Sequence, residues 1–251
     1  MTEYLHGYIK RSGYLHGIGL LGLIVLGLGV LGWFLSINVA RIEVHGAVDA
    51  GESEILALAD LQIGQKIYKT NASELGGRVE KHPWVQTASI SRFPNGTLRI
   101  NIRERKPELL VLDKNGRPIV YLDKSGRHMP FRDTSFHDVP IFHGYDVNEA
   151  SDGHVNNVVV QELLLALADN ITETDDLISE VSLKSDQIGL RLEPAGNHGA
   201  IPVQLGSTEF IKKLKRLRAF WYQNMVPAQN TRYESLDLRY ASQIVSRENT
   251  P

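Results

Sequence analysis

The chain has 251 residues, of which 42% are hydrophobic and 22% are charged, and its formal net charge is −2. The absence of cysteine excludes disulfide bonds and thiolate sites. The near-neutral charge argues against nucleic acid as a partner, and the length suits one or two domains of ordinary size beyond an apolar segment near the amino terminus.

This apolar segment organises the chain. No charged side chain occurs between Arg11 and Arg41, and a helix over residues 14–38 is long enough to cross a membrane. We predict a transmembrane helix there, preceded by a short tail of residues 1–13. The tail is basic whereas the other flank is richer in acids, so the positive-inside rule predicts a cytoplasmic amino terminus and a bulk across the membrane.

Two other interpretations of the segment fit less well. A cleaved signal peptide has an apolar core of about 7 to 15 residues and a small-x-small cleavage site, whereas this run is longer and residues 36–40 offer a poor site. Residues 17–22 match the dinucleotide fingerprint G-x-G-x-x-G. No strand precedes them, so we interpret the match as coincidental.

The next stretch begins with a predicted strand and two predicted helices. Residues 41–46 alternate polar and apolar side chains before a glycine, which is typical of a strand. Ser53 precedes a short predicted helix over residues 54–59, and Asn71 with Glu74 three residues later resembles a capping box for a second helix.

A predicted hairpin follows the second helix. Residues 85–92 and 97–104 form its strands around a turn that contains Gly96. Pro83 marks the end of the preceding helix. We predict that Trp84 is a buried residue that docks this helix on the sheet, with a binding role as the alternative.

The rest of the chain predicts a β-rich domain with two helices. One helix has an apolar face from Val159 to Leu167, and the other begins at Thr208 with Phe210, Leu214, Leu217 and Trp221 on one face. The predicted strands are residues 108–113, 119–123, 139–142, a segment around Leu190 and Leu192, 201–205 and 236–240, with a short extended piece at Ile244 and Val245.

The strand at residues 236–240 is predicted to be the last strand of the sheet. Leu236, Leu238 and Tyr240 alternate with polar residues, so one face can pack on the domain. Its outer edge is either open, as a template for another chain's strand, or protected by its polar residues. Periodicity alone does not separate these two readings.

Five motifs together resemble one family. They are V-H-G at 44–46, H-P-W-V at 82–85, R-F-P-N-G-T-L at 92–98, E-R-K-P at 104–107 and L-D-L-R-Y at 236–240. The set, placed after a single membrane span, resembles the FtsQ/DivIB bacterial cell-division proteins, in which a POTRA domain is followed by a β-rich domain.

The resemblance implies an α+β fold with a POTRA domain at residues 39–106, a β domain at 107–247 and a short tail at 248–251. It also implies a single-pass protein of the bacterial inner membrane, with its bulk in the periplasm and a place at the division septum. There it would be a non-enzymatic scaffold that links early and late division proteins.

Its span and POTRA domain would contact other division components and membrane lipid. The carboxy-terminal region would bind the FtsB and FtsL proteins through residues Arg239, Tyr240, Ser242, Gln243, Ile244 and Val245.

No catalytic, cofactor or metal motif is found in the sequence. His137 and His143 are the nearest approach to a metal-binding cluster, and we interpret them as surface or turn residues. The basic run from Lys212 to Arg218 is interpreted as a solvated helix face, with an acidic partner or anionic lipid as the alternative. The first alternative function is a POTRA-type chaperone or transport module of the cell envelope. The second is a membrane-anchored envelope hydrolase, which would need a nucleophile or a metal site.

Overall fold

A computed structural model of the chain describes residues 2–174, 177–194, 199–225, 232–240 and 242–249. The chain divides into two compact units, Met1–Glu104 and Arg105–Pro251. The first combines a long helix with a small mixed sheet, and the second combines a large sheet with two helices. The predicted α+β fold class is therefore confirmed.

The long amino-terminal helix α1 spans Thr2–Ser36. Its stretch Gly19–Ser36 has a mean hydropathy of 2.1 and is long and apolar enough to cross a membrane. The side chains of this stretch are mostly exposed, so they are not covered by the protein itself. A helix satisfies its own backbone hydrogen bonds, which suits a segment surrounded by lipid.

The first unit continues with a three-stranded sheet and two short helices, in the predicted order strand, helix, helix, strand, strand. The elements are β1 (Arg41–His45), α2 (Glu52–Ala59), α3 (Ala72–Val79), β2 (Val85–Arg92) and β3 (Thr97–Glu104), with a 3₁₀ turn at Ile67–Lys69. The strand order is β1-β3-β2, with β1 parallel and β2 antiparallel to β3. The crossover between the parallel strands carries both helices, whose apolar faces are buried.

The predicted cap of α3 is confirmed in part. The Asn71 side chain accepts hydrogen bonds from the backbone N–H groups of Ser73 and Glu74, at 3.2 and 3.4 Å. The reciprocal half of the capping box is absent from the described contacts, because the Glu74 carboxylate instead accepts from Arg78 one turn later, at 3.1 Å.

The predicted start of α2 at Glu54 is two residues too late. The helix begins at Glu52, and Gly51 precedes it with φ 74° and no side-chain cap. A left-handed φ is available to glycine without steric cost, so the chain turns into the helix in one residue and Ser53 lies inside the first turn.

The second unit is built on a nine-stranded sheet, counted over the residues described here. In spatial order it runs β12-β11-β10-β9-β8-β7-β4-β5-β6. The pairs β4–β7, β7–β8 and β10–β11 are parallel, and the others are antiparallel. Its strands are β4 (Pro107–Leu112), β5 (Pro118–Asp123), β6 (His128–Pro130), β7 (Ile141–His143), β8 (Ile178–Lys184), β9 (Gln187–Leu192), β10 (Pro202–Gly206), β11 (Arg232–Asp237) and β12 (Val245–Asn249).

Two helices share one hydrophobic core with this sheet. They are α4 (Val158–Thr174) and α5 (Phe210–Phe220), and a 3₁₀ turn at Val147–Glu149 precedes α4. The spacing of Phe210, Leu214, Leu217 and Trp221 places all four on the buried face of α5. Alternate residues of β9 and β10 also point into the core, as do Ile178 and Val181 of β8, while the residues between them are mostly exposed or half-buried.

The structure corrects the predicted end of the sheet. Strand β11 ends at Asp237 instead of continuing to Tyr240, because the chain turns and returns as β12. Strand β12 pairs antiparallel with β11, with Val245 opposite Asp237. The outer edge of the predicted strand, which the sequence pattern left as either open or protected, is covered by β12, and β12 becomes the end strand. Strands β6 and β8 were not predicted.

Candidate partner-binding edge

The strand β12 lies at one end of the nine-stranded sheet. Its five residues pair with β11 on one side, and within the described residues no strand pairs with the other side. The side chains of Val245, Arg247 and Glu248 are exposed. An end strand of this kind presents unpaired backbone N–H and C=O groups, which can pair with a strand from another chain.

The turn before β12 is held to the sheet at both ends. Leu238 is fully buried, and its backbone N–H donates to the Gln204 carbonyl at 2.8 Å. At the other end, the half-buried Ile244 packs against the core of the unit. Two apolar anchors thus fix a turn whose intervening described residues face solvent.

The helix α5 supports the same turn through Arg216. Its guanidinium donates to the Tyr240 carbonyl at 3.1 Å and to the Gln243 carbonyl at 3.5 Å. These bonds occupy backbone acceptors of the turn, while the Tyr240 side chain remains 51% exposed. An exposed tyrosine on a backbone held in place offers a large contact surface at low conformational cost.

A short ion pair fixes Arg239 beside the turn. Its guanidinium donates to both carboxylate oxygens of Asp237, with an Nε–Oδ1 distance of 3.0 Å and an Nη2–Oδ2 distance of 2.6 Å. The hydrogen bond from Arg239 holds the pKa of Asp237 below its usual range. The arginine is thereby oriented while its side chain remains 52% exposed.

The interpretation of residues 212–218 as a solvated face is wrong for one residue. Lys213 is only 4% exposed, and its ammonium donates to the Leu205 carbonyl at the end of β10, at 2.8 Å. Burial lowers the pKa of this lysine. The long stem of Lys213 allows it to extend along the buried face and still place its charge on a carbonyl.

The structure brings the six sequence-predicted contact residues together in one segment. Arg239, Tyr240, Ser242, Gln243 and Val245 are exposed, and Ile244 is half-buried. Residues 246–249 and Arg216 were not predicted to belong to this region. Residues 246–249 read S-R-E-N and have no alternation of apolar side chains, so the pattern did not indicate a strand. Arg216 belongs to the basic run that was interpreted as a solvated helix face, so no contact with the turn was expected.

No group of three histidine, aspartate or glutamate side chains that could hold a metal ion is found among the described residues. The His137 ring packs edge-on against Tyr121, with their centroids 5.4 Å apart. This packing gives His137 a structural contact.

Comparison with protein families assigns both units. The model described as "POTRA domain, FtsQ-type" matches residues 37–105, and the model described as "FtsQ/DivIB, C-terminal related" matches residues 106–247.

The chain belongs to the FtsQ/DivIB family.

Curated relatives agree with this assignment. The chain is 37% identical over 247 residues to "Cell division protein FtsQ" of Rhodothermus marinus, which covers 95% of this chain and 90% of the relative. The protein of the same name from Salinibacter ruber is 35% identical over 238 residues, covering 92% and 91%. That of Syntrophotalea carbinolica is 29% identical over 198 residues, covering 74% and 66%.

The FtsQ-type POTRA domain places Trp84 in its core. The side chain is fully buried, just before β2 and after the turn that contains Pro83. Its backbone N–H donates to the His82 ring at 3.3 Å, and the other nitrogen of that ring lies 3.0 Å from the Glu54 carboxylate. His82 is itself buried, so this segment ties α2 to the start of β2.

The same FtsQ-type domain places Gly96 against the segment that follows α1. Its carbonyl accepts from the backbone N–H of Ala40 at 2.8 Å. Gly96 has φ 83°, and a Cβ atom there would lie 2.7 Å from the Asn38 carbonyl oxygen. Only glycine therefore fits without a shift in the backbone.

Proposed function

We propose that this chain is a non-enzymatic scaffold of the bacterial division machinery that links early and late division proteins and binds the FtsB/FtsL pair at the septum. The observation that carries the proposal is the end strand β12 with the exposed turn that precedes it. The turn and the first three residues of β12 lie in the segment matched by the FtsQ/DivIB carboxy-terminal model, which ends at residue 247.

Binding at this edge would use strand addition. In that mode, backbone hydrogen bonds supply affinity and side chains near the new strand set specificity. The turn offers Tyr240 as an anchor of large area and Arg239 as an oriented cation. We propose that Arg239, Tyr240 and Val245 contact the partner directly, with Ser242, Gln243 and Ile244 shaping the surface between them.

The charges of β12 favour a specific partner over indiscriminate pairing. Arg247 and Glu248 are exposed on a strand of only five residues. Short, charged end strands resist edge-to-edge aggregation, because an unmatched strand would place like charges opposite each other or leave them unpaired. A partner strand of complementary charge would not meet this penalty.

The proposed setting is the bacterial inner membrane. The helix α1 would cross it once, with the amino terminus in the cytoplasm and both units in the periplasm at the septum. The charge asymmetry around the apolar stretch supports this orientation. We further propose that α1 and the POTRA domain contact other division proteins, and that residues 39–106 and 107–247 act as separate domains.

Protease accessibility tests the orientation. Protease added to spheroplasts is expected to trim the chain to a fragment close to Gly19–Ser36, because everything after Arg41 lies outside the inner membrane. Immunoblotting with an amino-terminal tag follows the fragment. Digestion of the bulk only after the inner membrane is broken would show that the orientation is reversed.

Proline substitution in β12 tests strand addition. Successive backbone N–H groups of a strand point to opposite edges, so one of Ser246 and Arg247 donates towards β11 and the other towards the open edge. Proline removes that donor. We expect one of Ser246→Pro and Arg247→Pro to keep the melting temperature yet weaken binding of the FtsB/FtsL periplasmic segments at least tenfold, about 1.4 kcal/mol.

The turn supplies a second test and a control. Tyr240→Ala removes an exposed ring and is expected to weaken the same binding at least tenfold without unfolding, as checked by titration and circular dichroism. Tyr222→Ala removes a tyrosine that is similarly exposed but follows α5, and should leave affinity unchanged. Normal affinity in Tyr240→Ala and in the folded proline variant would refute binding at this edge.

A further inference from the structure

Residues 61–69 of the POTRA unit, called here the juxtamembrane loop, are fastened to the segment that leaves α1. The backbone N–H of Val39 donates to the Gln65 carbonyl at 2.8 Å. The N–H of Ile67 donates to the Ile37 carbonyl at 3.1 Å. The loop is therefore held at the point where the apolar stretch of the helix ends.

Side chains of the loop also contact α1 itself. The Lys66 ammonium donates to the carbonyl of Ser36, the last residue of the helix, at 2.7 Å. The Tyr68 ring stacks on Phe34 with centroids 4.1 Å apart. A cation at a helix carboxy terminus is favourable, and tyrosine is enriched at the level of lipid headgroups. Both contacts place the loop beside the carboxy-terminal end of the apolar helix.

The outer side of the loop combines an apolar side chain with two cations. Ile63 is 73% exposed, and Lys66 and Lys69 of the same loop are also exposed. Within the described part of the chain, no carboxylate lies within ion-pair distance of either lysine. An ammonium has three donors, so Lys66 keeps two after bonding the Ser36 carbonyl.

The nearby acidic side chains do not cancel these charges completely. Asp60 and Glu74 line the same cleft as the two lysines. Glu74 is paired with Arg78 at 3.1 Å. Counting Asp60 alone against Lys66 and Lys69 leaves one positive charge on the surface next to the helix end.

We propose that the juxtamembrane loop rests on the membrane in which α1 ends, with Lys66 and Lys69 on the phosphates of anionic phospholipids and Ile63 in the headgroup layer. This rests on membrane anchoring by α1, which is part of the proposed function, and is independent of FtsB/FtsL binding. Lipid is the occupant because the loop is continuous with the lipid-facing helix and combines cations with an exposed apolar residue.

Single-cysteine labelling tests the proposal, because the chain has no cysteine of its own. The full chain is reconstituted in nanodiscs of neutral lipid or of neutral lipid with phosphatidylglycerol. A fluorophore at Ile63→Cys is quenched either by a nitroxide-bearing phospholipid or by iodide in the buffer. We expect quenching by the phospholipid to dominate at position 63 in the anionic discs.

Neutralising the lysines should release the loop. Each lysine near an anionic surface changes the ratio of docked to undocked loop by about fivefold. The double variant Lys66→Gln with Lys69→Gln should therefore lower this ratio by roughly 25-fold. The matched control is Lys81→Gln, which removes the same charge beyond the other end of α3, about 12 Å away along the helix. It should leave the ratio unchanged.

Two further labels separate the possible failures. The native Val48 side chain is 82% exposed, and this residue follows the end of β1 that lies opposite to Arg41. A fluorophore at Val48→Cys should therefore be quenched by iodide. Leu28→Cys, within α1, should report the phospholipid quencher. If the phospholipid quenches the fluorophore at position 28 while only iodide quenches it at position 63, the loop inference is overturned and membrane anchoring by α1 is retained.

The remaining outcomes also decide the proposal. Aqueous behaviour at position 28 would overturn both anchoring and the loop inference. Equal lipid contact at position 63 in neutral discs, or no response to the lysine substitutions, would overturn recognition of anionic headgroups. Release of the loop by added inorganic phosphate at constant ionic strength would show a site for free anions in place of lipid.

Discussion

Replacing Trp84 with alanine is expected to lower the free energy of unfolding of the POTRA unit by about 3 to 5 kcal/mol. The side chain is fully buried, so its removal loses apolar contacts and leaves a cavity among residues that cannot close it completely. A small domain is stable by only about 5 to 15 kcal/mol, so the loss is a large fraction of its total stability.

The measurement is thermal unfolding of the purified chain in detergent, followed by circular dichroism. For a unit of this size, about 1 kcal/mol corresponds to 4–8 °C, so the transition should fall by at least about 12 °C. Val48→Ala is the control, because its side chain is 82% exposed and should change stability by less than about 0.5 kcal/mol. Normal melting of Trp84→Ala together with lost recruitment to the septum would make Trp84 a contact residue.

The second large effect is expected from Asp123→Ala. Asp123 is 4% exposed, and its carboxylate pairs with Arg105 at 2.8 Å. It also accepts from the backbone N–H groups of Ser125 and Arg127, both at 2.8 Å. We expect a loss of about 3 kcal/mol, near the lower end for breaking a buried pair, because Arg105 keeps some access to water.

The chain contains a matched control for this substitution. Residues 113–117 read D-K-N-G-R and residues 123–127 read D-K-S-G-R, and both form hairpin turns. Asp113 likewise accepts from two backbone N–H groups of its turn, at 2.8 Å each. It is more exposed and has no arginine ion pair among the described contacts, so Asp113→Ala should lower the melting temperature much less. Equal losses would show that the Arg105 pair contributes nothing.

The same carboxylate predicts a pH dependence. Burial raises the pKa of Asp123, but hydrogen bonds from Ser125, Arg105 and Arg127 together hold it below its ordinary value of 3.8. The unfolded chain therefore binds this proton at higher pH than the folded chain does. The stabilisation is complete above about pH 4 and is lost as the pH falls through the folded pKa. Asp123→Ala should show a shallower loss of melting temperature over that acidic range.

The sequence predicts the POTRA unit well because its elements have clear signals. Residues 97–104 alternate sharply, the turn at Gly96 separates two strands, and Asn71 marks the start of α3. Each signal depends on neighbours within a few residues. Local chemistry therefore determines these elements, and their burial in the structure follows the predicted faces.

Strand β8, which was not predicted, and β12, of which only the first residue was predicted as extended, lack such signals for physical reasons. In β8, the register shifts between Ile178 and Glu180, so the alternation of buried residues restarts partway along the strand. In β12, Val245 is followed by four polar residues, and among residues 245–248 only Ser246 is even half-buried. A strand that exposes both faces can be recognised only from its pairing with β11.

The sequence identified the segment that forms the candidate site, but not the three-dimensional contacts that support it. The motif at residues 236–240 indicated the region, whereas the support of the turn by Arg216 depends on a contact across 24 residues of sequence. The burial of Lys213 could not be predicted from the sequence either. Its position on the helix suggested solvent, whereas in the structure the Leu205 carbonyl accepts from its ammonium and the carboxylates of Glu209 and Asp237 favour its charge.

The parallel pairing of β1 with β3 determines how the POTRA unit would carry mechanical load. Arg41 pairs with Thr97 and His45 with Asn101, so the chain enters at one end of this ladder and leaves at the other end, beyond Glu104. A pull between the membrane anchor and the second unit acts along the strands. It loads all five residue pairs in shear at once, instead of opening them one after another.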